Sequence, residues 1–417
     1  MLFVSPPSVL VLGGGLVGLN TAFALTERGA EVTVIDAAAL GGGAARGNAG
    51  FLCSPLIGPL PGPGVLWSTL RSMPDPTGAV RIRPRQLPRL APWMLQFARA
   101  CTKGRFDAAR AALVCLNERT PAMVDRLVAA GVTVQRSDPM AVPFHDVALA
   151  ERLLDDLAPM VALGAPAPTP LMDGGQLRAL VPALTDHVRG GFMLPGDRSI
   201  DPGRFVDDLV EVLRRRGVRM LEHHRVLGVD RGGDRVRSIA TTGGRLGADH
   251  VVLAAGAGSQ RLARLFDLRV PVVPGQGYNV ALPGTGALTR PVIFEEVHAV
   301  ATPIGARIRL GGTMEFAGDP PRFDGRRVDA IVRSLGRFLD LDWSARADTW
   351  AGSRPMSPDG LPLIGRPHGW SNLTLATGHG MYGLTLAPSS GEAVAELLTD
   401  GRAAIDLRPF DPNRFRL

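Results

Sequence analysis

The chain contains very little tyrosine and lysine. Tyrosine occurs only at Tyr278 and Tyr382, and Lys103 is the only lysine among 417 residues. Arginine therefore supplies nearly all of the positive charge behind the net charge of +7. The arginines are scattered, and the densest run, residues 214–216, falls at a predicted helix end, where the dipole favours cations. With abundant Ala, Gly and Pro, this pattern is typical of the codon bias of a GC-rich genome, so we expect no nucleic-acid partner.

Cysteine is also scarce. The three cysteines, Cys53, Cys101 and Cys115, are odd in number and show no CxxC or Cys/His spacing. This excludes a disulfide framework and predicts no metal site. Cys101 and Cys115 would share one face of a continuous helix, so both are predicted to be buried. This cysteine usage fits a reducing compartment and predicts a cytoplasmic protein.

Two kinds of hydrophobic segment are missing. Residues 1–7 lack a positive n-region and a cleavable apolar stretch, so no signal peptide is expected. No apolar run reaches the roughly 18 residues of a membrane span. With 45% hydrophobic and 20% charged residues, the composition is that of a globular protein, and 417 residues suit two or three domains.

The N-terminal segment has the pattern of a strand–turn–helix–strand unit. Residues 8–12 form an apolar strand, residues 13–15 a glycine turn and residues 16–28 a helix. Residues 31–35 form a second apolar strand. Such a unit is typical of dinucleotide-binding α/β folds.

The turn carries the pattern Gly13-x-Gly15-x-x-Gly18. Gly13 permits a tight turn, Gly15 lets the backbone approach a pyrophosphate, and Gly18 allows the helix to pack closely on the strand. The helix N-terminus would then bind the phosphates through its free N–H groups and its dipole. Asp36 is placed to accept hydrogen bonds from an adenosine ribose. The alternative is a glycine-rich turn in an unrelated α/β domain, but the surrounding strand, helix and acid favour a dinucleotide.

The rest of the chain favours FAD over NAD. No second half of a six-stranded nucleotide domain follows the N-terminal unit. Residues 251–258, Val-Val-Leu-Ala-Ala-Gly-Ala-Gly, form a strand that ends in small residues, as a sheet needs where a cofactor lies against its edge. Taken alone, this segment fits an ordinary strand–helix turn equally well.

The pattern changes several times along the remaining chain. Residues 41–64 are rich in Gly and Pro and nearly free of charge, which predicts irregular backbone packed against a ligand, another domain or a membrane surface. Residues 87–157 are mainly helical, and residues 265–350 alternate as antiparallel strands do. Further predicted elements are helices at 203–216 and about 389–399, strands at 218–222 and 373–376, and a meander within 226–247.

Six short segments carry a more specific pattern: Gly47-Asn-Ala-Gly50, Pro195-Gly-Asp-Arg-Ser-Ile-Asp-Pro202, Pro274-Gly-Gln-Gly-Tyr278, Arg307-Ile-Arg-Leu-Gly-Gly312, Trp350-Ala-Gly-Ser-Arg-Pro-Met-Ser-Pro-Asp-Gly360 and Thr377-Gly-His-Gly-Met-Tyr-Gly-Leu-Thr385. Over nearly its whole length the chain resembles the D-amino-acid dehydrogenase branch of the D-amino-acid oxidase flavoprotein family, which includes glycine and sarcosine oxidases. One departure concerns Gly-His-Gly-Met-Tyr-Gly, where that branch commonly has Gly-His-Gly-Thr-Leu-Gly. This turn is closer to the oxidase branch and leaves the electron acceptor open.

The resemblance implies an α/β fold. An FAD-binding Rossmann-like domain of the glutathione-reductase type would be interleaved with an α+β substrate domain built on an antiparallel sheet. The FAD-binding domain is expected at residues 1–50, 196–265 and 351–417, and the substrate domain at residues 51–195 and 266–350. FAD is expected to be bound non-covalently.

The resemblance also implies a set of site residues. Arg354 would bind the substrate carboxylate, because guanidinium and carboxylate form a planar bidentate pair; by position alone it would be an ordinary structural arginine. Tyr278 and Tyr382 would line the substrate pocket, or else be half-buried aromatics with satisfied hydroxyls. His379 would lie beside the flavin, with a structural role favoured over that of a general base. Cofactor contacts are implied at Gly13, Gly15, Leu16, Val17, Gly18, Asp36, Ala37, Asn48, Ala49, Gly50, Val226, Ala255, Gly256, Arg354, Gly378, His379, Gly380, Met381 and Tyr382.

The resemblance implies a bacterial enzyme that uses FAD to oxidise a D-amino acid to a 2-oxo acid and ammonia. Hydride would pass from Cα to flavin N5, and the electrons to a quinone or another acceptor. The main alternative is an oxidase that uses oxygen on a secondary amine or imino acid, such as sarcosine, glycine, D-proline or 4-hydroxy-D-proline. A non-catalytic or RNA-modifying flavin module is suggested only by the basic charge.

Two expectations concern the apolar loop. Some relatives link flavin to a cysteine at a different motif, so Cys53 is expected only to pack. For residues 51–67, with the stretch around Trp93 and Phe97, two interpretations stay open: peripheral contact with the inner face of a membrane, and packing of this loop over the flavin.

Overall fold

The structure is a computed structural model that describes residues 6–52, 56–67, 78, 80–136, 139–195, 198–284, 286, 288–318 and 323–416. Its strands in chain order are β1 Ser8–Leu12, β2 Glu31–Ile35, β3 Val80–Ile82, β4 Gln135–Arg136, β5 Met140–Phe144, β6 Met172–Asp173, β7 Gly190–Leu194, β8 Arg198–Ser199, β9 Arg219–Leu221, β10 Val226–Gly232, β11 Arg235–Thr241, β12 Gly244–Leu246, β13 His250–Leu253, β14 Val273–Pro283, β15 Val292–Phe294, β16 Ala299–Ile304, β17 Arg307–Phe316, β18 Ala347–Met356, β19 Leu363–Gly365 and β20 Leu373–Thr377.

The α-helices connect and cover these strands. In chain order they are α1 Leu16–Thr26, α2 Leu87–Ala100, α3 Lys103–Asn117, α4 Thr120–Ala129, α5 Val147–Ala162, α6 Gly174–Leu180, α7 Pro202–Arg215, α8 Ser259–Ala263, α9 Gly325–Leu335 and α10 Gly383–Thr399. Helix α7 begins at Pro202, one residue before the predicted range 203–216, and the side chain of Asp201 accepts from backbone N–H groups of its first turn.

A six-stranded sheet, ordered β19-β20-β13-β1-β2-β9, forms one half of the molecule. It is parallel except at β19, which runs antiparallel to β20. Successive residues point to opposite faces, so Val9 and Val11 join one apolar core while Leu10 and Leu12 join another. The first core includes residues of α1, α7 and α10, and the second includes residues of the meander β10–β12. Helices and a small sheet thus cover opposite faces.

A nine-stranded sheet forms the other half, with the order β18-β14-β17-β16-β15-β5-β7-β6 and with β3 beside β17. It is antiparallel except where β15 meets β5 and β17 meets β3. Helix α9 buries Val328, Ile331 and Leu335 in the core with strand residues of this sheet. The fold class predicted from sequence, a Rossmann-like sheet interleaved with a largely antiparallel one, is confirmed.

Helices α1 and α10 tie the N-terminus of the chain to its C-terminus. They cross where a Cβ on Gly391 would lie 2.6 Å from the carbonyl carbon of Asn20, so only glycine allows this approach. Arg28 on the loop after α1 pairs with Glu392 at 2.7 Å, and Arg119 before α4 pairs with Glu396 at 2.8 Å. Helix α10 is therefore tied both to α1 with its following loop and to the segment before α4.

Several local predictions differ from the structure. The last helix begins at Gly383 rather than near residue 389, with Pro388 inside it. The predicted helical stretch 87–157 is interrupted by β5, whose residues are all buried. Residues 103–129, expected in the substrate domain, place Leu113 and Val124 in the core of the six-stranded sheet. Strand β18 continues across the expected domain boundary at 350/351.

Two expectations about buried and exposed side chains differ from the structure. Cys115 is exposed, because the helix breaks at Cys101 and residues 101 and 115 do not share a continuous helix. Trp93 and Phe97, which one of the two open interpretations placed at a membrane surface, are only 7% and 9% exposed and pack with Phe316 and Met356. Cys53 lies outside the described residues. Within the described chain, no helix combines the length and apolar character that crossing a membrane requires, and no His/Cys/Asp/Glu group is arranged to hold a metal ion.

Candidate functional site

A cavity of about 1430 Å³ lies between the two large sheets. Its walls include the carboxyl ends of β1, β2 and β13 on one side and residues of β14, β17 and β18 on the other. This position at the ends of parallel strands is where open α/β sheets bind ligands. Ordinary small-molecule sites are about 300–1,000 Å³, so this cavity has room for a dinucleotide together with a substrate.

The glycine turn after β1 forms one end of the cavity. Gly13 has a φ of +123°, and a Cβ there would lie 2.5 Å from the carbonyl oxygen of Ala254. A Cβ on Gly15 would meet nothing within 4 Å, so the backbone is open towards the cavity. A Cβ on Gly18 would lie 1.9 Å from the carbonyl oxygen of Gly13. The roles predicted from the spacing therefore have direct structural causes.

Asp36 stabilises this turn and also lines the cavity. Its Oδ2 accepts a hydrogen bond from the N–H of Gly14 at 2.8 Å, and its Oδ1 accepts one from Ala38 at 2.8 Å. Carboxylate oxygens have two lone pairs each, so both atoms keep acceptor capacity for a ribose. The ribose contact itself stays a prediction.

Two helix N-termini border the cavity. Leu16 at the start of α1 and Gly383 at the start of α10 are both lining residues, and neither helix has an acidic residue in its first turn. The unneutralised N–H groups and dipoles favour anions at these points. One N-terminus suits a pyrophosphate and the other suits the electron-rich pyrimidine end of a flavin, so these residues fit FAD.

Most residues expected to contact the cofactor line this cavity, and three do not. Gly18 instead packs within the turn, against the carbonyl oxygen of Gly13. Gly50 has a φ of +84°, and a Cβ added at this position would lie 2.5 Å from the carbonyl oxygen of Ile200. Gly378 has a φ of +79° and packs against Leu363. The expected cofactor contacts that line the cavity are Gly13, Gly15, Leu16, Val17, Asp36, Ala37, Asn48, Ala49, Val226, Ala255, Gly256, Arg354, His379, Gly380, Met381 and Tyr382, and the predicted substrate-pocket residue Tyr278 also lines it.

Arg354 on β18 extends across the sheet into the cavity. Its Nη1 donates to the carbonyl oxygen of Thr313 on β17 at 3.4 Å, and no carboxylate among the described residues pairs with it. Burial lowers the pKa of Arg354 to about 10, so the side chain remains charged near neutral pH. A Cβ on Gly277 would lie 2.4 Å from its Cζ, which explains why the intervening strand carries glycine there. A half-buried cation without a carboxylate partner is suited to bind an anion.

Thr313 adopts an unusual backbone conformation beside Arg354. Gly277 pairs with Met314 and Tyr278 pairs with Gly312, so Thr313 is the extra residue of a bulge in β17. Its φ is +55°, which is an outlier for a β-branched residue. The bulge turns its carbonyl oxygen towards the guanidinium. Strain of this kind concentrates at functional sites.

His379 is buried at the cavity wall, 3% exposed. Its Nε2 lies 2.9 Å from the Oγ of Ser390, and burial lowers its pKa to about 3. The ring is therefore neutral at physiological pH. The structural role favoured from sequence agrees with this environment.

Tyr382 links the turn before α10 to the loop that was expected to cover the flavin. Its hydroxyl donates to the carbonyl oxygen of Leu56 at 3.0 Å and accepts from the N–H of Gly58 at 3.3 Å. The side chain lines the cavity, but its hydroxyl is occupied by backbone groups. We therefore assign Tyr382 to holding the loop rather than to the reaction.

The structure corrects the role predicted for Tyr278. It is only 1% exposed, and its hydroxyl donates to Oε2 of Glu315 at 2.8 Å. Glu315 also accepts from Arg83, at 2.9 Å between Nε and Oε1. Side chains alternate along β14, so Gly277 faces Arg354 while the ring of Tyr278 joins the core with α9. Tyr278 contributes to the cavity wall, but its hydroxyl points away.

Sequence reasoning missed several residues that line the cavity. Thr313, Arg309, Glu295 and His298 all come from the nine-stranded sheet and its connections. Arg309 lay within one of the six recognised segments, and its Nη1 donates to the carbonyl oxygen of Asn48 at 2.7 Å. The others had no local signal, because strand pairing between distant segments brings them to the site.

Comparison with known proteins shows the family. The model of the DAO family, described as FAD-dependent oxidoreductases, matches residues 8–397. A D-amino acid dehydrogenase from Bradyrhizobium diazoefficiens is 32% identical over 98% of this chain and 98% of its own length. The chain belongs to the DAO family of FAD-dependent oxidoreductases, and the resemblance predicted from sequence is confirmed.

Solved structures show the same fold. Glycine oxidase from Geobacillus kaustophilus has a TM-score of 0.76 at 22% identity, covering 98% of this chain and 99% of that chain. Iminodiacetate oxidase from Chelativorans sp. BNC1 has a TM-score of 0.74 at 21% identity, covering 97% and 98%. At these identities, the similarity concerns the fold.

Proposed function

We propose that this protein oxidises the Cα–N bond of a D-amino acid, yielding a 2-oxo acid and ammonia after hydrolysis of the imino acid. The observation that supports this most directly is Arg354, a half-buried cation without a carboxylate partner among the described residues, at the cavity that fits FAD. The identity with a D-amino acid dehydrogenase over nearly the whole chain also supports it.

The residues of the chain would orient the substrate. Arg354 holds the carboxylate in a bidentate pair, with the carbonyl oxygen of Thr313 fixing one edge of the guanidinium. Bound FAD supplies the hydride acceptor. His379 is neutral and bonded to Ser390, so we assign it no proton transfer; solvent takes the proton that leaves the substrate amine. The loop held by Tyr382 limits the access of water.

Replacement of Arg354 by lysine tests this proposal. Arg354→Lys keeps the charge but loses the planar fork, at a cost of about 1.5–3 kcal/mol for each charge-assisted hydrogen bond lost. Anaerobic reduction of bound flavin by D-alanine should then require at least about tenfold more substrate. The matched control is Arg333→Lys on the exposed face of α9. An unchanged concentration dependence in Arg354→Lys would rule out this role.

The electron acceptor is proposed to be a quinone, with oxygen as the alternative. The Gly378–Gly383 turn, with Met381 and Tyr382, is closer to the oxidase branch, whereas the dehydrogenase relative supports the quinone. In a cytoplasmic protein, a peripheral contact with the inner face of the membrane would serve quinone reduction, and Trp67 is 70% exposed at the apolar loop. Comparing peroxide formation in air with reduction of a soluble quinone analogue separates the two acceptors.

A further inference from the structure

The cavity holds a carboxylate that the proposed reaction does not use. Glu295 follows strand β15 and lines the same cavity as Arg354. Its side chain is half-buried, and within the described chain it forms no hydrogen bond or ion pair. Burial raises the pKa of its carboxyl above the ordinary value, and the nearby His298 opposes that rise. His298 therefore offsets the desolvation of an ionised carboxylate in this position only in part.

Strand pairing gives the separation of Glu295 from Arg354. The guanidinium reaches the carbonyl oxygen of Thr313 on β17. On the next strand, Ala299 pairs with Gly312 of β17 and also with Phe294 of β15, directly before Glu295. Glu295 is thus two strands away from the guanidinium, which corresponds to about 10 Å at the usual strand spacing.

This separation decides which part of a substrate Glu295 can reach. The α-ammonium and α-carboxylate of one amino acid share a carbon atom, so they lie only about 3 Å apart. A substrate whose carboxylate pairs with Arg354 therefore does not bring its α-amine to Glu295. The end of an extended lysine side chain lies about six bonds, or roughly 7–8 Å, from the carboxylate carbon. With hydrogen bonds of about 3 Å at the ends, such a side chain spans the distance.

We propose that Glu295 binds the cationic end of the substrate side chain, so that the enzyme prefers basic D-amino acids of the lysine or arginine type. The inference rests on the proposed function and specifies its substrate class. Arg354 on β18 has no carboxylate partner, and the carboxylate of Glu295 after β15 has no salt-bridge partner among the described residues. Both line one cavity, so they complement a ligand with a carboxylate at one end and an ammonium or guanidinium at the other.

The test compares D-lysine with D-norleucine, which has nearly the same length and no side-chain charge. In the wild-type holoenzyme, D-lysine should reduce the flavin with a kcat/KM about ten- to a hundredfold higher than D-norleucine. Glu295→Gln should remove this preference by raising KM for D-lysine and leave D-norleucine unchanged. The matched control is Glu151→Gln, exposed on α5, which should behave as wild type.

A second measurement does not depend on turnover. 6-Aminohexanoate has the length of lysine but no α-amine, so its binding can be followed by the change it produces in the flavin absorbance spectrum. It should bind the wild type more tightly than hexanoate, and Glu295→Gln should abolish the difference. Equal binding of both ligands to the wild type, or equal losses for D-lysine and D-norleucine in Glu295→Gln, would overturn the inference. If the inference fails but D-norleucine still reduces the flavin, the proposed function stands. If no D-amino acid reduces the flavin, the proposed function is refuted, and the comparison of 6-aminohexanoate with hexanoate still decides the role of Glu295.

Discussion

Gly277→Ala offers a sharp test of how the sheet positions Arg354. The added Cβ would lie 2.4 Å from Cζ of Arg354, 2.5 Å from Nη2 and 2.8 Å from Nη1. Ordinary carbon contacts are at least about 3.5 Å, so the guanidinium must move by roughly 1 Å. Because the guanidinium is the end of a flexible side chain, the strand is expected to stay folded and the arginine to shift.

The shift should weaken substrate binding more than folding. Loss of one charge-assisted hydrogen bond costs about 1.5–3 kcal/mol, which corresponds to a ten- to about 150-fold rise in KM for D-alanine. Steady-state kinetics with a quinone analogue gives KM, and the ratio of flavin to protein absorbance gives the FAD content, which should not change. Gly275→Ala, two residues earlier, is the matched control because its Cβ would meet the flexible side chains of Met356 and Met314 instead. The positioning argument is refuted if KM rises equally in both variants or in neither.

Two further predictions concern residues at the flavin side of the cavity. Folding lowers the pKa of His379 from near 6.5 to about 3, so the unfolded chain binds a proton in this window that the native protein does not, and stability is lost as pH falls from about 6.5 towards 3. The unfolding free energy of His379→Gln should therefore depend less steeply on pH between 4.5 and 6.5, by up to about 1.4 kcal/mol per pH unit, as measured by urea titration. An unchanged slope would contradict the neutral buried ring. Tyr382→Phe removes the hydrogen bonds to Leu56 and Gly58, which contribute about 1–3 kcal/mol in total. The variant should therefore release its flavin at a lower temperature, seen as the appearance of flavin fluorescence on heating. An unchanged temperature of flavin release would contradict the role of this hydroxyl.

Features encoded by neighbouring residues could be predicted from sequence. The glycine turn follows from local backbone geometry, because Gly13 has a φ of +123° and a Cβ on Gly18 would meet the carbonyl oxygen of Gly13. The start of α7 follows in the same way from Asp201 and Pro202. These signals needed no knowledge of tertiary packing.

The errors arise where distant segments decide the local structure. The last helix was predicted to begin near residue 389, but it begins at Gly383: the carbonyl oxygen of Thr385 accepts from Thr120 on α4, and the first turns are buried. The bulge at Thr313 shifts the pairing between β14 and β17, so the contacts of Tyr278 could not be derived from sequence spacing. Glu295 had no pattern at all, because only strand pairing places it on the same cavity as Arg354.

The most direct test of the central claim is anaerobic bleaching of the bound flavin by a panel of D- and L-amino acids that includes both prolines and N-methylglycine. Rapid bleaching by D-amino acids is expected, with Arg354→Lys shifting the response to higher substrate concentrations. Bleaching by L-amino acids or N-methylglycine alone, or bleaching by D-amino acids that is unaffected in Arg354→Lys, would contradict the central claim.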